Sequence, residues 1–228
     1  IRSRGDVAKF RSVLAWRLRL WLLCLPAGIG WATLRGIVRL WFGIANSGVY
    51  SAGNGPSMRS AIIGATFASD AAARRALVAA STRLTHTDPK ALAGALAIAE
   101  VAARITAGTW TTKPSIEELI GVLGAVSEDH DWQTSVKQIR NVCSADDPVA
   151  GGRNVFGSKN GVSGYVLHSV PFALVVWFHH FGDYRATIES VTQAGGDVDT
   201  IAAIAGALAG ATAKVEGIPA NWTNDLAD

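Results

Sequence analysis

Two carboxylates that stand two residues apart, directly followed by a hydroxyl, form the most chemically suggestive pattern in the chain. They are Asp197, Asp199 and Thr200, in the run GGDVDT at 195–200, and the small-residue run IAAIAGALAGA follows at 201–211. The pattern predicts a helix start, where free backbone N–H groups favour negative charge. Three such oxygen donors turned toward one point suit magnesium, calcium or manganese rather than zinc. A plain helix cap with an acidic first turn is the alternative interpretation.

Small residues on both sides of this pattern favour the interpretation as a functional site. Gly195 and Gly196 allow the backbone to approach a neighbour closely, and the following helix carries alanine and glycine where larger side chains would hold a partner away. We therefore expect this helix to be buried and its acidic end to face an interior cleft.

A glycine-rich loop and a histidine earlier in the chain are further candidates for ligand contact. The loop reads SAGNGPSMR over 51–59, and its candidate contact residues are Ser51, Gly53, Asn54 and Gly55. Glycines just before a helix expose N–H groups that can hold a diphosphate, although a tight turn between helices is the alternative. His86 lies in THTDP at 85–89, after a predicted helix, where a structural role competes with ligand binding.

Taken in chain order, the segments GNGPSMR, THTDP, GDVDT and IPANW resemble the ADP-ribosylglycohydrolase family, over about Ser51 to Trp222. The resemblance implies a magnesium-dependent hydrolase that removes ADP-ribose from a modified protein side chain or small molecule by cleaving an N- or O-glycosidic bond. It implies metal binding by Asp197, Asp199 and Thr200, with the two aspartates also catalytic. The substrate contacts that it implies are Ser51, Gly53, Asn54, Gly55 and His86.

The resemblance also implies two magnesium or manganese ions in a complete protein, and this sequence supplies only part of such a site. The family's G-D-x-x-G and T-D-D-T motifs do not occur before Ser51, where Asp6 is the only acid. The chain begins at Ile1, and Met58 is its only methionine. We therefore expect an N-terminally truncated chain, which puts its own activity in doubt. The alternative is a catalytically impaired ADP-ribose-binding or regulatory module that keeps half a metal site.

Aromatic and basic residues near these motifs have two interpretations each. Tyr165 and Phe156 can stack on adenine or pack in the core, and most of the eight tryptophans are expected at core or helix-interface positions. Arg59 can contact ligand or tie helices together by a salt bridge. The adjacent His179 and His180 are interpreted as a helix C-terminal cap rather than a metal pair, because neighbouring helical side chains point apart.

The composition indicates one domain over 1–228, since 228 residues are enough for a full core. The net charge of +3 is too small to indicate nucleic acid. Positive charge is concentrated in the tryptophan-rich segment 1–45, which we interpret as two basic amphipathic helices of the same domain. Contact with a membrane surface or a polyanion is the alternative.

No membrane span is predicted, because the most apolar stretch, 21–34, is too short to cross a bilayer. Cys24 and Cys143 are far apart and are predicted to be buried and reduced. The sequence thus predicts a cytoplasmic monomer whose partner is an ADP-ribosylated protein or small molecule.

Helical periodicity dominates the chain, and we predict an all-α, single-domain orthogonal helical bundle, which is also the fold that the resemblance implies. Loops are predicted at 44–56 and 144–161, and no strand. The predicted helices are 7–25, 27–42, 57–68, 70–84, 89–107, 115–127, 132–142, 164–181, 183–194 and 197–215.

Overall fold

The computed structural model describes residues 5–224 and confirms a fold dominated by helices. A small antiparallel sheet pairs β1 (Gly157–Ser158) with β2 (Gly161–Val162). The helices are α1 (Val7–Leu23), α2 (Trp31–Trp41), α3 (Gly55–Met58), α4 (Ala61–Thr66), α5 (Ala71–Arg83), α6 (Pro89–Thr106), α7 (Ile116–Gly124), α8 (His130–Cys143), α9 (Pro148–Phe156), α10 (Val166–His179), α11 (Tyr184–Ala194), α12 (Val198–Ala213) and α13 (Ala220–Asn224), with a 3-10 turn at Val215–Gly217.

The core is organised around α6, an alanine-rich helix that contacts α3, α4, α5, α7, α10 and α12. Small residues on and beside α6 allow these close approaches. A Cβ atom added to Gly64 of α4 would lie 2.2 Å from the Ala99 carbonyl oxygen, and one added to Gly94 would lie 2.3 Å from Val166 Cγ2. The buried apolar helix α10 packs on the other side of the core against α8, α9 and α12.

Most helices begin where an oxygen-bearing side chain accepts a hydrogen bond from the first turn, as expected for N-caps. Asp88 accepts from the Lys90 N–H at 2.8 Å ahead of α6, and Ser115 forms a reciprocal capping box with Glu118 at the start of α7. The helices predicted to begin at 70, 89, 115 and 183 begin within one residue of those positions.

Three predictions of local structure are wrong. The segment 144–161, predicted as a loop, contains α9 and the strands β1 and β2, because Asp147 caps a helix and Pro148 occupies its first turn. The segment 27–30, predicted as the start of a helix, remains a loop in which Gly28 has a φ value of +69°. The helix predicted at 57–68 is also divided into α3 and α4.

Helices α1 and α2 form an antiparallel hairpin on the outside of the bundle, in which α1 packs against α5. Arg19 Nε of α1 donates to the Leu40 carbonyl oxygen near the end of α2 at 3.1 Å, and Arg11 donates to the Ala45 carbonyl oxygen beyond α2. Cys24, predicted to be buried, is exposed in the connecting loop. Four of the eight tryptophans, all on this hairpin, are exposed and so lie outside the core.

Candidate active site

A cleft of about 850 Å³ opens between the loop before α3, the start of α12 and the α1–α2 hairpin. The cleft is lined by every residue that the sequence predicted to contact metal or substrate, although these residues are spread over most of the chain. They are Ser51, Gly53, Asn54, Gly55, His86, Asp197, Asp199 and Thr200. The fold thus brings the separate sequence motifs to one place.

Asp197 is the residue that joins the two main motifs. One carboxylate oxygen, Oδ2, accepts from Asn54 Nδ2 at 2.7 Å, and the other, Oδ1, accepts from Thr200 Oγ1 at 2.9 Å. Asp197 occupies the N-cap position of α12, yet its side chain makes no capping hydrogen bond. The carboxylate therefore bridges the first turn of α12 and the glycine-rich loop. One donor on each oxygen fixes its orientation.

Asp199 is held more loosely in the first turn of α12. Its side chain is exposed, and Oδ1 accepts from the Thr200 N–H at 2.8 Å. Oδ2 faces the α1–α2 connection, at 3.7 Å from the position that a Cβ atom on Gly28 would take. The helix start therefore presents one fixed, half-buried carboxylate and one exposed carboxylate.

The turn before α12 is shaped by its two glycines and by strand β2. Gly195 and Gly196 have φ values of +73° and +85°, a region that favours glycine. The Val162 N–H donates to the Gly195 oxygen at 3.0 Å, and the Asp197 N–H donates to the Val162 oxygen at 2.8 Å. A Cβ atom on Gly196 would lie 2.2 Å from that Val162 oxygen. The strand therefore fixes where the acidic helix begins.

The glycine-rich loop is held against the start of α10 by two backbone hydrogen bonds. The Asn54 N–H donates to the Gly164 oxygen at 3.1 Å, and the Val166 N–H donates to the Ala52 oxygen at 2.8 Å. Within residues 5–224, the N–H groups of Gly53 and Gly55 have no acceptor. They are therefore available to a ligand in the cleft.

His86 lies directly beneath this loop and is buried. A Cβ atom on Gly53 would come within 2.9 Å of His86 Nε2, so glycine is needed there to accommodate the ring. The other ring nitrogen, Nδ1, lies 2.9 Å from Thr85 Oγ1. Burial, and secondarily the nearby positive charge of Arg59, lower the pKa of His86 to about 4, so the ring is neutral at neutral pH.

Arg59 borders the same end of the cleft and ties α3 to α5, but without the predicted salt bridge. Its guanidinium donates to the oxygens of Gly55, Ser81 and Thr85, all of them neutral, at 2.7 to 3.0 Å. Among residues 5–224 it has no carboxylate partner. Burial lowers the pKa of Arg59 to about 10, which still leaves it protonated at neutral pH. Its charge therefore favours an anion in the cleft.

The sequence interpretation missed one wall of the cleft, which is built from the α1–α2 hairpin. Trp21, Ile29, Trp31 and Thr33 line it, and Thr33 Oγ1 lies 3.0 Å from where a Cβ atom on Gly55 would stand. The run PAGIG at 26–30 was predicted as a break followed by a helix start, and no local pattern indicated which part of the chain it would contact. Of the two aromatic candidates, Phe156 is buried in the core, whereas Tyr165 is exposed beside Gly53.

The donor set at the start of α12 fits a divalent cation in kind but not in number. Asp197, Asp199 and Thr200 offer only oxygen atoms, the ligands that magnesium and manganese prefer. In the described range, 5–224, no three His, Cys, Asp or Glu side chains surround a common point. These residues can therefore supply part of the coordination shell of such an ion.

The protein has an all-α fold with one cleft. One end of this cleft is acidic and lined by oxygen atoms, and the other end is positively charged. The sequence model of the ADP-ribosylglycohydrolase family matches residues 1–228. The chain belongs to this family. The match includes the residues before Ser51, which the sequence motifs alone did not reach.

Individual relatives agree with this assignment. A protein of Archaeoglobus fulgidus is 30% identical over 217 residues, which is 94% of this chain and 67% of that protein. The ADP-ribosyl-[dinitrogen reductase] glycohydrolase of Rhodospirillum rubrum is 29% identical, and the alignment covers 91% of this chain and 63% of the enzyme. The ADP-ribosylhydrolase ARH3 of Gallus gallus is 27% identical, with coverage of 77% and 53%. The chain thus spans between about half and two thirds of these proteins.

A solved structure supports the fold itself. A chain of an ADP-ribosylglycohydrolase-related protein complex superposes with a TM-score of 0.68 at 24% identity, covering 97% of this chain and 75% of that chain. No helix within residues 5–224 is long and apolar enough to cross a membrane.

Proposed function

We propose that this chain forms the ADP-ribose site of a hydrolase that removes ADP-ribose from a modified protein side chain or small molecule, by cleaving an N- or O-glycosidic bond. The observation that carries the proposal is the hydrogen bond between Asn54 and Asp197, two residues 143 positions apart. This hydrogen bond connects a loop that can bind a diphosphate to carboxylates that can bind a ribose, so both lie in one cleft. Family membership supports the same chemistry.

The loop end of the cleft is suited to the diphosphate. The N–H groups of Gly53 and Gly55 are without acceptors in the described part of the chain, and Arg59 adds a positive charge that no carboxylate there neutralises. Backbone N–H groups and a guanidinium both bind phosphate oxygens.

His86 completes this end as a neutral donor. Arg59 Nη2 donates to Thr85 Oγ1 at 2.7 Å, and we assign the Thr85 hydroxyl proton to the 2.9 Å contact with His86 Nδ1. The ring proton then resides on Nε2, the nitrogen that faces Gly53 and the cleft. In this arrangement His86 donates a hydrogen bond to an anionic oxygen without adding charge.

The acidic end is suited to the ribose beside the bond that breaks. Asp197, Asp199 and Thr200 would hold magnesium or manganese, and the bound ion would orient ribose hydroxyls and polarise a water molecule. Asn54 and Thr200 fix the direction of the Asp197 carboxylate. Positive charge develops on the ribose during glycosidic cleavage, and the two carboxylates would stabilise it. The cytoplasmic location and the monomeric state stay predictions.

A second candidate function, a binding or regulatory module without turnover, is favoured by one observation. Within residues 5–224 the cleft offers the two carboxylates of Asp197 and Asp199, and both are already assigned to the metal. Glycosidic cleavage also needs a general acid or base. A chain that binds ADP-ribose without hydrolysing ADP-ribosylated substrates would match this alternative.

The test is a thermal-shift and hydrolysis series with ADP-ribose, ADP and ribose 5-phosphate, each with and without magnesium. ADP-ribose should stabilise the protein most and in a magnesium-dependent way, by about 2.7 kcal/mol at a concentration of about 100 times its dissociation constant. Ribose 5-phosphate should stabilise it much less, because it reaches only one end of the cleft. If none of the three ligands stabilises the protein, both candidate functions are contradicted. The hydrolysis assay distinguishes the two functions, because only the hydrolase releases ADP-ribose from a modified substrate.

A further inference from the structure

The α1–α2 hairpin carries apolar side chains on the side that faces away from the bundle. On α1, the inner side chains Phe10 and Ala15 are buried, whereas Trp16 and Leu20 on the opposite side are 56% and 50% exposed. On α2, Ile37 is buried while Trp31 is 73% exposed. We define the outer face as Val13, Trp16, Leu20 and Leu23 of α1 together with Trp31, Leu34, Val38 and Trp41 of α2.

The residues of the outer face repeat with the same spacing on both helices. Successive members are separated by three, four and three positions, which is the spacing of the a and d positions in a coiled coil. Because the two helices are antiparallel neighbours, each contributes one apolar stripe to the same surface. Two such stripes side by side present the surface into which a third helix packs its own a and d residues.

The charged side chains of helices α1 and α2 themselves are all basic. Lys9, Arg17 and Arg35 are exposed, and no aspartate or glutamate occurs between Asp6 and Asp70. Within residues 5–224, these three cations form no ion pair with any carboxylate. The positive rim therefore complements a partner with negative charge beside its apolar residues.

We propose that the outer face is a docking surface for an acidic amphipathic helix of a partner polypeptide. The occupant carries apolar residues at heptad spacing and aspartate or glutamate on both flanks. A second copy of this chain fits poorly, because pairing the face with itself brings like charges together with no carboxylate between them. A lipid surface has no periodicity to match the two stripes. Trp31 also lines the cleft, so the docked helix lies next to the candidate active site.

The probe is a synthetic peptide of about 21 residues, three heptads, with leucine at a and d and glutamate at e and g. Its matched control has lysine at e and g. Tryptophan fluorescence and calorimetry should show that the acidic peptide binds at least about tenfold more tightly than the basic one, with affinity falling as salt rises. Equal binding of both peptides, or no binding of the acidic peptide, would overturn the proposal.

Variants locate the binding surface. Leu20→Asp and Val38→Asp, one on each helix, should each weaken acidic-peptide binding by about tenfold or more. The matched control is Ile62→Asp, because Ile62 on α4 is 65% exposed and lies outside the outer face. Circular dichroism melting checks that each variant is folded. Unchanged binding by both folded variants would overturn the proposal.

Two further measurements test the competing occupants. Binding to phosphatidylglycerol vesicles without binding to the acidic peptide would assign the outer face to a membrane. Sedimentation that shows self-association, abolished by Leu20→Asp, would assign it to a second copy. Either result would overturn the proposal, whereas a monomer that prefers the acidic peptide to both vesicles and itself supports it.

Discussion

Asp197 and Asp199 are two residues apart, but their surroundings prepare them for different tasks. Asp197 accepts hydrogen bonds from Asn54 and Thr200, which hold its carboxylate in one orientation. Asp199 is exposed, and its only hydrogen bond in the described chain comes from the adjacent Thr200 N–H. A fixed carboxylate can position a bound ion, and an exposed one can reach it at little cost to the fold.

Asp199→Asn should therefore remove function with little effect on stability. We expect the unfolding free energy to change by less than about 0.5 kcal/mol, because the side chain is exposed and the asparagine Oδ1 can still accept from the Thr200 N–H. The magnesium-dependent part of ADP-ribose binding should disappear, together with any hydrolysis that the wild type performs. Thermal melts and calorimetric titrations check both expectations. Asp146→Asn, at an exposed acid remote from the cleft, is the control, and equal effects of the two variants would exclude Asp199 from the site.

His86 provides a test of its buried, neutral state through the pH dependence of unfolding. Its pKa is lowered from 6.5 to about 4 in the folded protein. As the pH falls through this range, the unfolded chain takes up a proton that the folded protein does not, so stability is lost. The loss between about pH 6.5 and pH 4 should be on the order of 3 kcal/mol, and above that range the contribution is constant.

Urea unfolding at several pH values, compared between wild type and His86→Gln, isolates this contribution. His168 and His180 also have lowered pKa values because of burial, but they are present in both proteins. The difference in unfolding free energy between wild type and His86→Gln should therefore be independent of pH above about pH 6.5. Parallel curves throughout the acidic range would mean that His86 is accessible to protons in the folded state.

At the scale of elements, the start of α12 depends on its contact with β2. Gly196→Ala places a methyl group against the Val162 oxygen and imposes a φ of +85° on a residue with a side chain. We expect a loss of about 2 kcal/mol or more in unfolding free energy, together with weaker ADP-ribose binding, because the Asp197 N–H bond to Val162 must shift. Urea unfolding and calorimetry measure the two effects.

Substitutions at two other glycines distinguish backbone strain from steric clash as the cause of the stability loss in Gly196→Ala. Gly195 has a similar φ of +73°, but a Cβ atom there would meet nothing closer than 3.8 Å, so Gly195→Ala reports strain without a clash. Gly121, inside α7, has nothing within 4 Å, and Gly121→Ala should raise stability by up to about 1 kcal/mol. If Gly196→Ala costs no more than Gly195→Ala, the close contact with β2 does not determine the turn.

Sequence patterns predicted most elements but failed where packing overrides local preference. The pair Asp147–Pro148 gives the same start signal as Asp88–Pro89, yet the glycines of AGGRN made the segment look like a loop. In the fold, Gly152 lies where a Cβ atom would be 3.2 Å from the Phe172 ring, so glycine there serves helix packing. Propensity cannot anticipate such a contact, because the partner helix α10 lies beyond the local window.

At the scale of the whole molecule, the sequence identified the motifs of the cleft but not all of its walls. The order of the motifs allowed the glycine-rich loop, His86 and the acidic helix start to be assigned to one site. The wall made by Trp21, Trp31 and Thr33 was not predicted, because periodicity defines which face of a helix is apolar but not which element it meets. That information resides only in the long-range packing.

The number of metal ions that the molecule holds is the remaining whole-molecule property to predict. Magnesium favours six oxygen ligands in octahedral geometry, and the cleft offers Asp197, Asp199 and Thr200. Both oxygens of Asp197 are already hydrogen-bonded. We therefore expect calorimetry on these 228 residues to show weak binding of a single magnesium or manganese ion, lost in Asp199→Asn. Tight binding of two ions would contradict the view that this chain supplies only part of the site.

Coupling between the ion and ADP-ribose gives the sharpest form of this prediction. If one cleft binds both, ADP-ribose must raise magnesium affinity by the same factor by which magnesium raises ADP-ribose affinity, because the coupling free energy is reciprocal. The two factors are measured in separate titrations, and Asp146→Asn should leave both unchanged. In Asp199→Asn both factors should fall to about one. A factor of one in the wild type, or a factor above one that survives in Asp199→Asn, would place the ion outside the cleft formed by the start of α12.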